Sequence, residues 1–270
     1  MDYYKGKICV ITGASTGIGY GLGEKLLEYG AGRVYFTART QSKLDSAALK
    51  LARYGDRARF ISVDVTDPEA VKGLIELAVT ENSRIDFLFN NAGVGAGGAT
   101  ERASLHSWER ILATDLWGVI YGVNAVLPIM LRQGAGHIVN TASIQGLTPA
   151  PYQTLYSTAK HAVVGMSESL RIEMKPRGVC VSVLCPGAVE SEIFQKGGNQ
   201  IPKNAITAEY AAQWALERIA AGQGIIPVAE EAQQMYELYR SNPEALEQAL
   251  IAFGESVKTR KTGDAALGAG

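Results

Sequence analysis

The sequence has little cysteine and little histidine, which limits the metal and redox chemistry open to it. It contains three residues of each type. Cys9, Cys180 and Cys185 lie in or beside apolar runs, where a small thiol is more often buried packing than a redox centre or a metal ligand. No histidine lies close enough in sequence to complete a ligand pair with them. We therefore expect three buried thiols and no metal.

An excess of one charge sign and long uninterrupted apolar runs are missing as well. The formal net charge is -1, so no overall field draws the chain to nucleic acid or to an anionic membrane. The longest apolar run, residues 116–131, is interrupted by Asn124 and Pro128 and is too short to span a bilayer. Residues 1–7 carry no apolar targeting signal. With the odd number of thiols, these features predict a cytoplasmic protein that binds neither nucleic acid nor membrane.

Short apolar runs alternate with helical patterns over most of the chain. The runs lack strict polar alternation, which is typical of strands covered on both faces. Alternating strands and helices predict right-handed βαβ units and an α/β fold with a doubly wound parallel sheet. The predicted strands are residues 7–12, 33–37, 59–63, 85–90, 137–142, 179–184 and, more weakly, 224–228. The predicted helices include residues 18–29, 68–81, 105–132 and 155–175.

The pattern changes after residue 228. Residues 229–253 are rich in Ala, Glu, Gln and Leu and predict two helices, the second of which begins at Pro243, since proline is tolerated in a first turn. The final residues have too little apolar bulk to pack. No linker divides the chain, so we expect a single domain over residues 1–254, whose residues 229–254 form a helical extension, and a loose tail over 255–270.

Three glycines, Gly13, Gly17 and Gly19, follow the first predicted strand. Glycines let a backbone turn tightly and approach a pyrophosphate, and the N-terminus of the next helix adds free N–H groups and a positive dipole end. The spacing G-x-x-x-G-x-G differs from G-x-G-x-x-G, so a tight turn without a ligand stays open as an alternative for this motif alone.

The end of the second predicted strand, Ala38-Arg39, bears on the choice of cofactor. An acidic side chain there would bind the adenosine ribose and repel a 2′-phosphate. This chain has an arginine instead, whose planar donors can bind two phosphate oxygens at once. The residue predicts NADP(H), with a solvated surface arginine as the alternative.

Ser143, Tyr156 and Lys160 form a candidate catalytic group. Ser143 follows the strand predicted over 137–142, and open α/β sheets bind ligands beyond the carboxyl ends of their strands. Tyr156 and Lys160 share one face of a helix. A phenol with a pKa near 10 is a poor base at neutral pH, and lowering its pKa to about 7 requires roughly 4 kcal/mol, which a nearby ammonium can supply. The group predicts hydride and proton transfer between a nicotinamide cofactor and a carbonyl/alcohol pair, with Ser143 binding the substrate oxygen.

Together these motifs resemble the short-chain dehydrogenase/reductase family over about residues 5–228. The matching segments are TGASTGIG at 12–19, Asp64-Val65, NNAG at 90–93, Ser143, YSTAK at 156–160 and Pro186-Gly187. The resemblance implies a Rossmann-type sheet of order 3-2-1-4-5-6-7. It also implies Tyr156 as acid/base, Ser143 as the group that orients the substrate, and Lys160 as activator of the tyrosine and ligand of the nicotinamide ribose.

The resemblance further implies a set of cofactor-binding positions and a homodimer or homotetramer built on the long helices. Asp64 and Val65 would meet the adenine, and the NNAG segment would line the adenosine and ribose side. The implied positions are Gly13, Ser15, Thr16, Gly17, Ile18, Gly19, Arg39, Asp64, Val65, Asn90, Asn91, Ala92, Gly93, Tyr156, Lys160, Pro186, Gly187, Val189 and Ser191.

Asp115 departs from the family pattern. Many members have asparagine there, in a helix after NNAG, whereas this chain reads TDLWG at 114–118. A carboxylate only accepts hydrogen bonds. If Asp115 faces Lys160, it holds the lysine protonated and offsets part of its effect on Tyr156, which predicts an activity optimum at more alkaline pH. A tolerated variant that still positions a water is the alternative.

The substrate pocket is expected from residues 94–98, 145–152 and the stretch after Pro186, with residues 190–205 as a lid. Few charges occur there, which favours an apolar or aromatic carbonyl compound or secondary alcohol. The helical C-terminus replaces the glycine-rich ending of tetrameric members, which favours a dimer, or else it packs over the substrate cleft. The expected substrate contacts are Val94, Gln145, Tyr152 and Phe194.

Two other functions are compatible with the same fold. The first is a catalytically weak nucleotide-binding regulatory or scaffold protein, which Asp115 favours. The second is an epimerase or dehydratase with tightly held NAD, against which Arg39 argues.

Overall fold

A seven-stranded parallel sheet forms the centre of the protein. The computed structural model describes residues 1–191, 202 and 204–267. The strand order β3-β2-β1-β4-β5-β6-β7, with every neighbouring pair parallel, confirms the predicted doubly wound topology and its order. The strands are β1 (Ile8–Ile11), β2 (Arg33–Ala38), β3 (Ala58–Ser62), β4 (Phe87–Asn90), β5 (Gly136–Thr141), β6 (Val179–Pro186) and β7 (Ile225–Val228).

Helices cover both faces of the sheet. The longer ones are α1 (Gly17–Glu28), α2 (Gln41–Lys50), α3 (Pro68–Asn82), α4 (Leu105–Leu112), α5 (Gly118–Gln133), α6 (Thr154–Met174), α7 (Ala208–Ala220), α8 (Glu230–Ser241) and α9 (Pro243–Leu267). Successive strand residues point to opposite faces, so Cys9 and Ile11 pack with α1 and α7 whereas Ile8 and Val10 pack with α3 and α5. Both faces are therefore apolar, as the strand sequences predict.

The order of the strands reverses between β1 and β4. The chain winds outward from β1 to β3 and then outward on the other side from β4 to β7. Loops that leave the carboxyl ends of β1 and β4 consequently diverge, which opens a crevice at this edge of the sheet. The segments 12–19, 90–94, 141–146 and 186–191 all follow strands at this edge.

The long helix expected over 105–132 is divided by a π-helical turn, Ala113–Trp117, between α4 and α5. Asp115 lies inside this turn. Leu105–Gln133 is the one stretch of the described residues apolar and long enough to cross a membrane, with a mean hydropathy of 1.4. It packs on the sheet through Val119, Val123 and Val126, so we interpret it as a core helix.

The C-terminal extension consists of two helices, as expected. α9 begins at Pro243, where Asn242 caps it by accepting a hydrogen bond from the N–H of Ala245 at 3.1 Å. Its helical backbone continues to Leu267. The loose tail over residues 255–270 stays a prediction, because helical backbone does not show whether a segment packs.

The three cysteines differ in their surroundings. Cys9 and Cys185 are buried, as expected, but Cys180 is exposed. Cys180 is the second residue of β6, near the amino edge of the sheet, and its neighbours in the strand are buried. The expectation of burial for Cys180 was therefore wrong: an apolar run did not make every position of this strand an interior one.

Candidate active site

Glycines of the β1–α1 loop allow close contact with the segment that follows β4. Gly13 has a φ of +65°, and a Cβ atom there would lie 2.6 Å from the Cα atom of Ala92. A Cβ atom at Gly19 would lie 2.5 Å from Nδ2 of Asn91. These two glycines are thus required by packing between neighbouring loops, whether or not a ligand is bound.

Thr12 and Asn91 tie the two loops together. The Thr12 hydroxyl oxygen accepts hydrogen bonds from the N–H groups of Asn91 and Ala92, both at 3.0 Å. The Asn91 carboxamide donates in return to the carbonyls of Thr12 and Gly13 at 3.1 and 3.2 Å. These hydrogen bonds hold the glycine loop in place without a cofactor, and they occupy the side-chain amide of Asn91.

The first turn of α1 is suited to an anionic group. Thr16 is its N-cap residue, but the side chain makes no capping hydrogen bond, and the first turn contains no acidic residue. The N–H groups of the turn, including those of Gly17 and Ile18, therefore keep their capacity for a ligand at the positive end of the helix dipole. Ser191 lies beside the loop, with its Cβ atom 3.3 Å from the place a Cβ atom of Gly17 would take. The residues present fit the pyrophosphate of a dinucleotide.

Arg39 and Asp64 lie together at the ends of β2 and β3. Nη1 of Arg39 is 3.9 Å from Oδ2 of Asp64, and both side chains are exposed to solvent. The other oxygen of Asp64 accepts hydrogen bonds from the N–H and the hydroxyl of Thr66, at 2.9 and 2.8 Å. An exposed pair at this separation contributes little energy, so the guanidinium can exchange Asp64 for another acceptor at small cost.

The side chain of Asn90 is directed into the protein. It is buried and donates to Oδ1 of Asn140 at 2.9 Å, and Asn140 donates in turn to Ser167 at 2.9 Å. Any contact between Asn90 and a cofactor must therefore come from its backbone, and the side chain holds β4, β5 and α6 in register beneath the site.

Asp115 and Lys160 form a buried pair. Nζ of Lys160 lies 2.9 Å from Oδ1 of Asp115, with side chains 3% and 0% exposed. The carboxylate also accepts from the N–H of Val94, at 3.2 and 3.3 Å to its two oxygens. Lys160 donates a second hydrogen bond to the carbonyl of Thr141 at 3.2 Å. The π-turn, the segment after β4, the end of β5 and α6 therefore meet at this pair.

Gly93 makes room for the pair. A Cβ atom at this position would lie 2.8 Å from Oδ1 of Asp115 and 3.5 Å from Nζ of Lys160. The glycine that ends the NNAG segment is thus explained by the close approach of a carboxylate and an ammonium rather than by backbone dihedral angles.

Tyr156 and Ser143 complete the group next to this pair. Nζ of Lys160 lies 5.4 Å from the centre of the Tyr156 ring, and a hydrogen bond from Ser143 stabilises the phenolate form of Tyr156. Ser143 also accepts a hydrogen bond from the N–H of Gln145 at 3.2 Å and lies 3.4 Å from the carbonyl of Pro186. The three residues of the predicted catalytic group are therefore brought together.

The expected substrate residues surround the same place, apart from Phe194, which lies outside the described residues. Val94 packs against Leu155 at the start of α6. Tyr152 adopts a left-handed conformation, with a φ of +60°, and its carbonyl accepts from the N–H of Gly98 at 2.8 Å. Gln145 has a buried carboxamide oxygen with no hydrogen-bond partner among the described residues. Most of the expected lid, residues 190–205, also lies outside them.

The C-terminal helices pack against the outside of the segment 144–152. Ala232 of α8 shares an apolar cluster with Ile144 and Leu147. The hydroxyl of Thr148 lies 3.8 Å from Sδ of Met235. Gly254 of α9 is buried, and a Cβ atom there would lie 3.3 Å from Cβ of Pro151 and 3.6 Å from Cε2 of Tyr152. The extension therefore packs beside the expected substrate segment.

Comparison with known proteins identifies the family. The family described as short chain dehydrogenase matches residues 7–201. The chain belongs to the short-chain dehydrogenase/reductase (SDR) family. Among curated relatives, an uncharacterized oxidoreductase of Staphylococcus saprophyticus is 37% identical over 188 residues, which cover 69% of this chain and 80% of that protein. A 3-oxoacyl-[acyl-carrier-protein] reductase of Haemophilus influenzae is 34% identical over 191 residues, covering 71% and 77%.

Solved SDR structures share the whole architecture. An SDR from Burkholderia phymatum in complex with NAD superposes with a TM-score of 0.83 at 29% identity, covering 91% of this chain and 96% of the other. A short chain dehydrogenase from Burkholderia cenocepacia in complex with NADP gives 0.79 at 26% identity, covering 92% and 98%. These neighbours support a nicotinamide dinucleotide as the cofactor of this SDR oxidoreductase.

The electrostatics of this SDR site differ from the expectation at Tyr156. Burial raises the pKa of the phenol, Lys160 and the hydrogen bond from Ser143 lower it, and Asp115 raises it again, so that the pKa lies above its ordinary value. Lys160 therefore lowers the pKa of Tyr156 as expected, but burial and Asp115 outweigh this effect. Burial also pulls the pKa of Lys160 down, but Asp115 and Tyr156 outweigh burial and raise it. Lys160 is therefore an ammonium, and the adjacent carboxylate of Asp115 neutralises most of its charge.

Sequence reasoning missed two residues of this SDR site. Thr12 precedes the glycine loop, and its hydroxyl organises the segment after β4. Thr141 ends β5 and supplies the second acceptor of Lys160. Both lie in the matched motifs or directly before Ser143, but a threonine at a strand end gives no signal that separates it from an ordinary β-branched strand residue.

Proposed function

We propose that this chain is an NADP(H)-dependent carbonyl reductase and alcohol dehydrogenase for a small apolar or aromatic substrate. The observation that carries the proposal is the meeting of Tyr156, Lys160 and Ser143 beyond the carboxyl end of β5, beside the glycine loop. A phenol, an ammonium and a hydroxyl at this edge provide a proton donor, a charge and a binding group for one substrate oxygen.

The residues of the chain account for the proton in this reaction. A nicotinamide cofactor held by the glycine loop and the first turn of α1 would supply or accept the hydride at the carbonyl carbon. Ser143 donates a hydrogen bond to the substrate oxygen and holds it near Tyr156. Tyr156 gives its hydroxyl proton to that oxygen during reduction and takes it back during oxidation. Lys160 favours the phenolate that is left behind, because an adjacent positive charge stabilises it.

NADP(H) is proposed over NAD(H) because of Arg39. Its guanidinium lies at the end of β2 and is only loosely paired with Asp64. A 2′-phosphate carries more charge than the Asp64 carboxylate and presents oxygens that match the two-pronged donors of arginine. Exchange of one acceptor for the other therefore favours the phosphorylated cofactor.

The proposed substrate class follows from the side chains near the catalytic group. Val94 belongs to an apolar cluster with Leu155, and Leu147 to the cluster next to Ser143. The carbonyl of Tyr152 accepts a hydrogen bond from Gly98, and its ring lies beside Gly254 of α9. An apolar or aromatic carbonyl compound fits such surroundings better than a sugar phosphate.

We propose a homodimer or homotetramer in the cytoplasm as the working form. Large apolar side chains are exposed on the long helices: Leu105 on α4 by 79%, Trp117 on the π-turn by 49% and Ile172 on α6 by 67%. Covering such side chains with a second copy removes apolar surface from water. The near-neutral net charge gives no reason to propose a nucleic acid or a membrane as a partner.

The proposed function is tested by the change Tyr156→Phe. Loss of NADPH absorbance would be followed with a panel of aliphatic and aromatic ketones. We expect wild-type turnover, and a loss in kcat of about 100-fold or more in the variant, since one general acid contributes about 10²–10⁴-fold. The affinity for NADPH, measured by cofactor fluorescence, should stay within about twofold because the phosphate-binding groups are untouched.

Tyr29→Phe is the matched control, since this tyrosine caps the far end of α1 and stacks on Tyr4. It should keep wild-type turnover. Full activity of Tyr156→Phe would contradict the proposal. NADPH binding without turnover on any ketone or alcohol would instead favour a nucleotide-binding regulatory protein, a reading that the compensated charge of Lys160 supports.

A further inference from the structure

The Asp115–Lys160 pair carries no net charge. Nζ and Oδ1 are 2.9 Å apart and both side chains are almost fully buried. Whichever of the two groups holds the proton between them, their charges sum to zero. Tyr156, with its ring centre 5.4 Å from Nζ, therefore faces a dipole rather than an isolated cation. The field of a dipole falls off faster with distance than that of a charge, so stabilisation of a phenolate is weakened.

Other groups that face the pair and Tyr156 do not restore the missing charge. Cys185 approaches from β6, and burial raises the pKa of its thiol, so it stays neutral. Ser143 contributes a neutral hydroxyl. Arg110 of α4 acts on Asp115, but it is exposed and screened by solvent. Within the described residues, no further charged group acts on Tyr156.

Resting on the proposed function, we propose that Asp115 shifts the pH dependence of the reaction toward alkaline pH in both directions. Tyr156 remains a proton donor to a carbonyl over a wide pH range and becomes ionised, as oxidation requires, only at alkaline pH. Asp115 is thus a positioning residue that acts through Lys160, and it sets the pH at which reduction begins to fall and oxidation reaches its plateau.

The proton balance explains this shift. In reduction, a C–H bond of the reduced dinucleotide would break and its hydride would form a C–H bond at the carbonyl carbon, while the C=O π bond opens and the oxygen takes the proton of Tyr156. The products are an alcohol, the oxidised dinucleotide and a phenolate. Oxidation reverses each of these changes and must begin from the phenolate. Consequently kcat/KM for reduction follows the protonated fraction of Tyr156, and kcat/KM for oxidation follows the ionised fraction.

The direction of the pKa of Tyr156 agrees with this inference. Burial raises it and Asp115 raises it further, against Lys160 and Ser143. The ordinary pKa of the phenol is already near 10. The phenolate is therefore the minor form at neutral pH, where Tyr156 holds the proton that reduction uses.

The substitution Asp115→Asn removes the charge of the carboxylate while keeping most of its hydrogen bonds. Its carbonyl oxygen can still accept from the N–H of Val94 and from Lys160, as Oδ1 does now. Lys160 keeps the carbonyl of Thr141 as a second acceptor, which favours its charged form. Asp115→Asn therefore separates the electrostatic role of the carboxylate from its part in folding.

The test compares pH profiles of kcat/KM in both directions for wild type and Asp115→Asn. We expect the oxidation profile to reach its alkaline plateau at least about one pH unit lower in Asp115→Asn than in wild type. The fall of the reduction profile should move with it. Glu109→Gln removes the same charge from an exposed position on α4 and should leave both profiles in place.

A spectroscopic titration gives a readout that does not depend on turnover. The tyrosinate absorbance is measured for cofactor-free wild type and Tyr156→Phe, and the difference reports the ionisation of Tyr156. We expect this ionisation at a pH above the ordinary pKa of a phenol, which is near 10. Ionisation at or below that value would overturn the inference, as would unchanged profiles in an active Asp115→Asn enzyme. If wild type shows the expected titration but no turnover, the proposed function is wrong, whereas the inferred ionisation of Tyr156 still holds.

Discussion

Arg39 and Asp64 place opposite charges side by side at the ends of β2 and β3. Their separation of 3.9 Å and their exposure mean that the arginine is held weakly. Asp64 is held more firmly, because one of its oxygens accepts two hydrogen bonds from Thr66. A bound 2′-phosphate would therefore attract Arg39 away from a carboxylate that stays where it is.

We predict that Arg39→Ala weakens binding of NADPH much more than binding of NADH. A hydrogen bond to a charged group contributes about 1.5–3 kcal/mol, so the Kd for NADPH should rise about 10- to 100-fold. The Kd for NADH should stay within about twofold, since no phosphate contact is lost. Titration of cofactor fluorescence measures both constants.

Arg53→Ala is the control for this change. Arg53 is also exposed and pairs with Glu24 and Glu28 of α1, so its removal changes the net charge equally. If Arg39→Ala weakens the binding of both cofactors equally, or of neither, Arg39 does not bind the 2′-phosphate.

Asp115 illustrates how far residue-level prediction reaches. Its place in TDLWG marked it as a departure from the family, and the consequence for Tyr156 followed if it faced Lys160. That condition is met only because a π-helical turn rotates residues 113–117. Helical periodicity assumes 3.6 residues per turn, so no pattern of apolar residues could reveal this turn or the distance of 2.9 Å.

At the level of elements, α8 and α9 hold the segment that joins β5 to α6. This segment begins at Ser143 and ends just before Tyr156, so both proposed catalytic side chains depend on its position. Met235 meets it at Thr148 and Gly254 meets it at Pro151 and Tyr152. The sequence predicted these helices but not their location, because an amphipathic helix shows that it has an apolar face and not which surface it covers.

Gly254→Leu tests this support. A Cβ atom at position 254 already lies 3.3 Å from Pro151, so a leucine must displace Pro151 and Tyr152 from the side of the substrate pocket. We expect the free energy of unfolding to fall by about 1–3 kcal/mol, as in other overpacked sites. The KM for ketones should rise while the Kd for NADPH stays unchanged, since the cofactor loops are not touched.

Ala252→Leu adds the same side chain to the exposed face of α9 and should change stability by less than about 0.5 kcal/mol. Chemical denaturation and steady-state kinetics measure the pair of variants. An unchanged KM in Gly254→Leu would mean that α9 supports the fold without shaping the pocket.

For the molecule as a whole, the doubly wound parallel sheet was predictable from the residues, whereas its strand order came from the resemblance to the SDR family. Apolar runs without polar alternation indicate strands covered on both faces, and their alternation with helices indicates parallel strands. The exposed Cys180 shows the limit of this reasoning. A run of apolar residues identifies a strand, but the ends of that strand are buried only where a helix or loop happens to cover them.

His137 links several elements at the opposite, amino edge of the sheet. It is buried in β5, where Nε2 lies 2.9 Å from the hydroxyl of Ser182 and Nδ1 lies 3.4 Å from the hydroxyl of Tyr3. Ser182 donates onward to the carbonyl of Gln223 at 2.7 Å. These contacts connect β5, β6, the N-terminus and the turn before β7.

We predict that His137 makes global stability fall in mild acid. Burial lowers its pKa from 6.5 to about 4, so between these values the unfolded chain binds a proton that the folded chain does not. Its contribution is complete above pH 6.5 and is lost as the pH falls toward 4. The cost in the free energy of unfolding reaches roughly 3 kcal/mol.

Chemical denaturation at several pH values from 7 to 4 tests this prediction. The free energy of unfolding should decline less steeply for His137→Gln than for wild type. His106→Gln, which changes an exposed histidine, should follow wild type. Parallel curves for all three proteins would mean that His137 is not held neutral by the fold.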